Sequence, residues 1–174
     1  MNKNKYIILF TVISSIVLFV WLTFNKNNYI NEANDHIDMN GLKLLMIEND
    51  VKSILDKKFL SMGGFGCKPY INKNDGIEIV FSGFPDVLDN YKLTSIITTN
   101  ESYHFYDINI GGTTENAISI LTKNGFKSIS AENRKDNINF KKGKLNVSLT
   151  SDIQSKIIKI TLNLESTNKK KVVF

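Results

Sequence analysis

Between Tyr6 and Phe24 the chain carries no charged side chain, and only Thr11, Ser14, Ser15 and Thr23 interrupt its apolar character. Wound as a helix at about 1.5 Å per residue, such a run reaches roughly 28 Å, close to the hydrocarbon thickness of a bilayer. The sequence therefore predicts an N-terminal transmembrane helix over residues 1–25, with everything downstream tethered to it. Tyr6 and Trp21 stand near opposite ends of the run, where amphipathic rings favour the membrane interface, and Phe24 closes it. No small-residue cleavage site and no cysteine follow Leu22-Thr23-Phe24, so the expectation is a signal anchor rather than a cleaved leader or a lipoprotein. Lys3 and Lys5 precede the run and Lys26 alone follows it closely, which predicts a single-pass protein of the cell membrane with a cytoplasmic N-terminus and an extracytoplasmic C-terminal domain.

The remainder is long enough for one domain with its own core. A formal charge of +5 gives a false picture of it. Setting aside Lys3, Lys5, Lys26 and Lys169 to Lys171 leaves sixteen basic against seventeen acidic side chains, a net charge of −1. Nucleic-acid binding needs clustered basic residues that displace phosphate counterions, and the domain shows no such cluster. Arg134 is the only arginine beside abundant Lys, Asn and Ile, which suggests an AT-rich bacterial coding sequence. With Cys67 as the sole cysteine, no disulfide can form within the chain, and the expectation for it is a buried structural thiol.

Composition divides the rest into a polar stalk over residues 26–40, an α+β domain over 41–166 with candidate halves 41–106 and 107–166, and a basic tail over 167–174. From Leu42 to Phe59, Leu44, Leu45, Ile47, Val51, Ile54, Leu55 and Phe59 largely follow helical spacing, with two short helices broken at Asn49-Asp50 as the alternative, and the glycines of Gly63-Gly64-Phe65-Gly66 stop the pattern. Ile77 to Phe81, Tyr91 to Thr99 and Tyr103 to Ile110 read as strands. Thr113 is a candidate N-cap with Glu115 in the first turn, and Asn124-Gly125 is the matching stop. Ile138 and Phe140, then Leu145, Val147 and Leu149, then Ile158, Ile160, Leu162 and Leu164 alternate with polar neighbours, as in an antiparallel sheet with one wet face. The resulting expectation is an α+β fold: a transmembrane helix followed by helices packed on an antiparallel sheet. Ser53-Ile54-Leu55-Asp56-Lys57 and Ser119-Ile120-Leu121-Thr122-Lys123 match at an offset of 66, which makes two tandem helix-plus-strands repeats a candidate organisation.

The segment Ile108-Asn109-Ile110-Gly111-Gly112-Thr113-Thr114-Glu115-Asn116-Ala117, leading into Ile120-Leu121 and Asn124-Gly125-Phe126, resembles the opening of β-lactamase-inhibitor-protein-like repeats, which also occur in small bacterial envelope lipoproteins. The resemblance covers Asp107 to Leu164 most clearly and Asp38 to Thr99 weakly. It implies a binding or assembly module without a catalytic site. The chain departs from the lipoprotein members in lacking a lipobox cysteine.

Candidate chemistry is sparse. Gly63-Gly64-Phe65-Gly66-Cys67-Lys68 lacks the spacing of a phosphate loop, and Pro69 follows where Ser or Thr is needed. Cys67 with His36 or His104 would be a minimal nucleophile–base pair, against which stands a structural cysteine and a strand histidine. Asp75, Glu78, Asp86 and Asp89 lack the alternate spacing of a calcium loop and read as solvated loop acids. No catalytic residue, metal ligand or cofactor site is assigned. Phe84, Tyr91, Tyr103 and Tyr106 concentrate aromatic side chains and form the candidate binding surface, with sheet core as the competing reading. The expected function is a membrane-anchored, exported, non-enzymatic module that binds an envelope or secreted protein, in an immunity or inhibitor role. The alternatives are an envelope enzyme with an unrecognised active site and a structural spacer.

Overall fold

Alternation of apolar and polar residues in the last third of the chain builds one half of an eight-stranded antiparallel sheet. The computed structural model describes residues 12–15, 28–55, 60–61, 67–72, 75–82, 91–129 and 136–165. The chain divides into two units, residues 1–35 and residues 36–174.

In the first unit residues 12–15 are helical and α1 spans Asn28–Asp35. Tyr6, Trp21 and Phe24 lie outside the described residues. Among the described residues no helix is long and apolar enough to cross a membrane. This corrects the expected transmembrane helix and signal anchor, and with them the single-pass placement in the cell membrane. The expected α+β class is corrected as well: the chain is mainly antiparallel sheet with short helices.

The second unit begins with β1 (Ile37–Asp38), followed by α2 (Glu48–Ile54), β2 (Leu60–Ser61), β3 (Cys67–Asn72), β4 (Ile77–Ser82) and β5 (Lys92–Thr98). After β6 (His104–Phe105) and β7 (Ile108–Asn109) come α3 (Thr114–Lys123), β8 (Lys127–Ser128), β9 (Asn137–Lys142), β10 (Leu145–Ser151) and β11 (Ile157–Leu164). The large sheet has the order β2-β3-β4-β5-β11-β10-β9-β8, and β1-β6-β7 form a small second sheet. The expected strand from Tyr103 to Ile110 is instead a tight hairpin, because Tyr106 (φ 50°) and Asp107 (φ 62°) turn the chain back in left-handed conformations. The expected helix from Leu42 shrinks to α2 for a related reason. Leu45 sits at φ 69°, and its N–H donates to the Leu93 carbonyl at 2.8 Å, so this stretch pairs with β5 before the helix starts.

Each half of the large sheet is a four-stranded meander, and the two meet through their last strands. The first half receives backbone bonds from Leu45 N–H to the Leu93 carbonyl and from Leu93 N–H to the Met46 carbonyl. The second receives Gly111 N–H to the Ile157 carbonyl and Ile157 N–H to the Gly112 carbonyl. Leu45 and Gly111 are 66 positions apart, as are the helix starts Glu48 and Thr114 and the buried pairs Val51 and Ala117, Leu55 and Leu121. Register shifts fall at Val80/Phe81 and at Thr150/Ser151. Across the junction Ile96 pairs with Leu162 and Thr98 with Ile160, leaving Ile97 and Thr161 at the centre of an approximate two-fold arrangement.

One sheet face is the core. Ile77, Ile79, Phe81, Leu93, Ile96, Leu145, Val147, Leu149, Ile157, Ile160 and Leu162 are all buried on it. Phe105, Tyr106 and Phe126 meet edge-to-face with centroids 4.8 to 6.1 Å apart, and His36 stacks on Tyr106 at 4.0 Å.

Candidate binding face

Directly paired residues of an antiparallel sheet point to the same side, so the ladder fixes what the other face presents. One row runs across it from Ile71 to Glu78, Ile97, Thr161, Ser148 and Asn139. The row crosses six strands without a fully buried side chain. Around it the halves differ in chemistry. The first half shows Pro69, Ile71, Val80 and Ile97, all half-buried and apolar. The second shows Asn139, Asn146, Ser148, Thr150, Thr161 and Asn163 in contact with solvent. Ser148 hydroxyl and Asn139 carboxamide bond to each other there, and Lys141 pairs with Glu165 at 2.6 Å. An open, pleated, hydrogen-bonding surface with an apolar end can hold a protein surface.

The densest polar cluster lies on the covered side. Glu48, at the start of α2, accepts from Tyr70 hydroxyl at 2.5 Å and pairs with Lys52 at 2.7 Å and Lys68 at 3.0 Å. Burial pushes the Glu48 carboxyl up, but the bonds from Lys52, Tyr70 and Lys68 outweigh it and hold the group at about 2. Burial and the same carboxylate raise the Tyr70 phenol, while Lys52 and Lys68 are raised chiefly by their bonds to Glu48. Lys68 Nζ also sits 4.1 Å from the centroid of Tyr91. These contacts fasten α2 to β3.

Of the four aromatic residues expected on a surface, Tyr103 and Tyr106 are buried and Tyr91 is half-buried. Tyr103 hydroxyl accepts from Asn40 at 2.6 Å, Tyr106 packs in the aromatic cluster, and Tyr91 lies under Lys68. Tyr91, Tyr103 and Tyr106 do not form one exposed patch. Phe84 lies outside the described residues, as do Gly63 to Gly66, Asp86, Asp89 and Lys169 to Lys171. Cys67 is a half-buried free thiol on β3 opposite Ser82, whereas His36 and His104 belong to the small-sheet region. Asp75 bonds back to Asn72 within the β3–β4 turn. Among the described residues no group of three or more His, Cys, Asp or Glu could hold a metal ion. Sequence reasoning marked the wet positions of β10 and β11 by their alternation. It missed that Ile71, Val80 and Ile97 share that face, since apolar residues in a strand read as core.

No protein-family model matches the chain, and no curated protein sequence matches it. Among solved structures, it is similar to a cysteine-rich secretory protein from Staphylococcus aureus, at 15% identity and a TM-score of 0.54 over 75% of this chain and 48% of that one. An extracellular protein containing an SCP domain from Bacillus anthracis matches at 11% identity and a TM-score of 0.49, over 70% of this chain and 44% of that one. A DUF4309 family protein from Bacillus subtilis matches at 17% identity and a TM-score of 0.45, over 78% of this chain and 93% of that one. The chain thus spans about half the length of the first two. The first likeness bears on the fold alone.

Proposed function

We propose that the chain is a non-enzymatic protein-binding module whose open sheet face docks on a folded partner, a secreted or envelope protein, in an inhibitor or immunity role. One observation carries this reading. A row from Ile71 to Asn139 keeps six strands' worth of side chains in contact with solvent, while the opposite face of the same sheet carries the buried core. Rigid strands present such groups with little ordering cost on binding, which favours recognition of a preformed surface. The resemblance of Asp107 to Leu164 to β-lactamase-inhibitor-protein-like repeats supports a role by binding rather than by catalysis.

Site-specific photocrosslinking in cells tests it. A benzophenone side chain at Thr161 or Ser148 should capture one dominant protein, and the same probe at Ile153, exposed in the β10–β11 turn, should not. Equal capture from all three positions, or none from Thr161 and Ser148, sinks the reading.

A further inference from the structure

The open face contains a cleft of about 300 Å³ at its apolar end, lined among others by Ile71, Glu78, Ile97, Thr99 and Lys159. Ile71 and Ile97 flank Glu78 directly on the neighbouring strands. Lys159 lies on β11, diagonal to Ile97, so the carboxylate and the ammonium stand on opposite sides of that isoleucine. Their strands are separated by β5, and with the two-residue offset along β11 the two backbone positions stand about 12 Å apart at the usual strand spacing and rise. No ion pair joins them, and neither has another charged partner among the described residues. A carboxylate and an ammonium left unpaired across an apolar floor form a complementary template for charges of the reverse order.

We propose that this cleft is the contact point for a protein partner that presents one apolar side chain between a basic and an acidic residue. The apolar group covers Ile97, the basic group pairs with Glu78, and the acidic group pairs with Lys159. The proposal deepens the binding-module reading and rests on it. Charge complementarity on this scale selects the partner and its orientation more than it adds affinity.

The probe is a blocked pentapeptide, acetyl-Lys-Thr-Leu-Thr-Glu-amide, whose first, third and fifth side chains share one face when extended. Titrated into the ¹⁵N-labelled full chain, it should shift the amides of Ile71, Glu78, Ile97, Thr99 and Lys159. Glu78→Gln and Lys159→Gln should each weaken it about fivefold, the scale of a half-exposed ion pair, and a peptide with Ala for Leu should weaken likewise. Both substitutions lie on the solvent face, and unchanged spectra elsewhere establish that the variants fold. Shifts outside the cleft, or affinity indifferent to both substitutions, overturn the proposal. If the peptide fails while the probe at Thr161 still captures a partner, the cleft falls and the binding-module reading stands.

Discussion

Gly111 holds φ at 84° with no atom within 4 Å of where a Cβ would sit, so Gly111→Ala meets only backbone strain. The expected cost is about 1–2 kcal/mol, read as a shift of the urea midpoint at constant slope. Gly76 combines φ 59° with a Thr99 hydroxyl 2.8 Å from the same ideal Cβ, and Gly76→Ala should cost more than Gly111→Ala. Glu48 supplies the pH dependence. Its folded pKa is about 2 against an ordinary 4.5, so its ion pairs stabilise the fold above the unfolded value. That contribution is lost as pH falls from about 4.5 through about 2. Its size is about 1–3 kcal/mol, discounted because Lys52 and Lys68 remain solvated. Glu48→Gln should flatten the stability curve over that window, and an unchanged acid limb would contradict the assignment.

At the level of elements, α2 and α3 start alike but are capped differently. Thr113 (φ −83°, ψ 143°) accepts through its side chain from Asn116 N–H, whereas Ile47 (φ −76°, ψ 155°) has no side-chain cap. Thr113→Ala should therefore destabilise by about 1 kcal/mol, and Ile47→Thr, at an exposed position with the same backbone, should stabilise by about 0.5 kcal/mol. In the core, Ile160→Ala removes a fully buried side chain beside the strand junction and should cost about 2–4 kcal/mol in denaturant unfolding. The same elements show where sequence is transparent. The cap at Thr113 and the stop at Asn124-Gly125 act over a few residues, and α3 spans Thr114–Lys123 as they require. The alternation of β10 and β11 likewise reports a packed and a wet face. The helix expected from Leu42 starts only at Glu48, because Leu45 pairs with Leu93, a partner 48 positions away that no local pattern announces. By sequence Tyr103 and Tyr106 suit surface or core alike, and the structure buries both, Tyr106 at the hairpin turn. The candidate site was half legible. Asn146, Ser148 and Thr150 declared themselves wet, but Ile97 takes its face from registry with Glu78 and Thr161.

Over the whole molecule, the sheet's centre joins two distant parts of the chain. Ile97 and Thr161 are 64 positions apart, yet they pair side by side between the two meanders. Until Ile157–Leu164 leaves the ribosome, β5 carries a row of unpaired N–H and C=O groups along a strand that also holds Leu93, Ile96 and Ile97. Such an edge is a template for another chain, so the nascent protein passes through an interval of self-adhesion that ends only with its last strand. A chain truncated before Ile157 should aggregate in proportion to its concentration, and light scattering of stalled or truncated chains measures this directly. The seam that joins the two halves of the finished sheet is, during synthesis, an open edge.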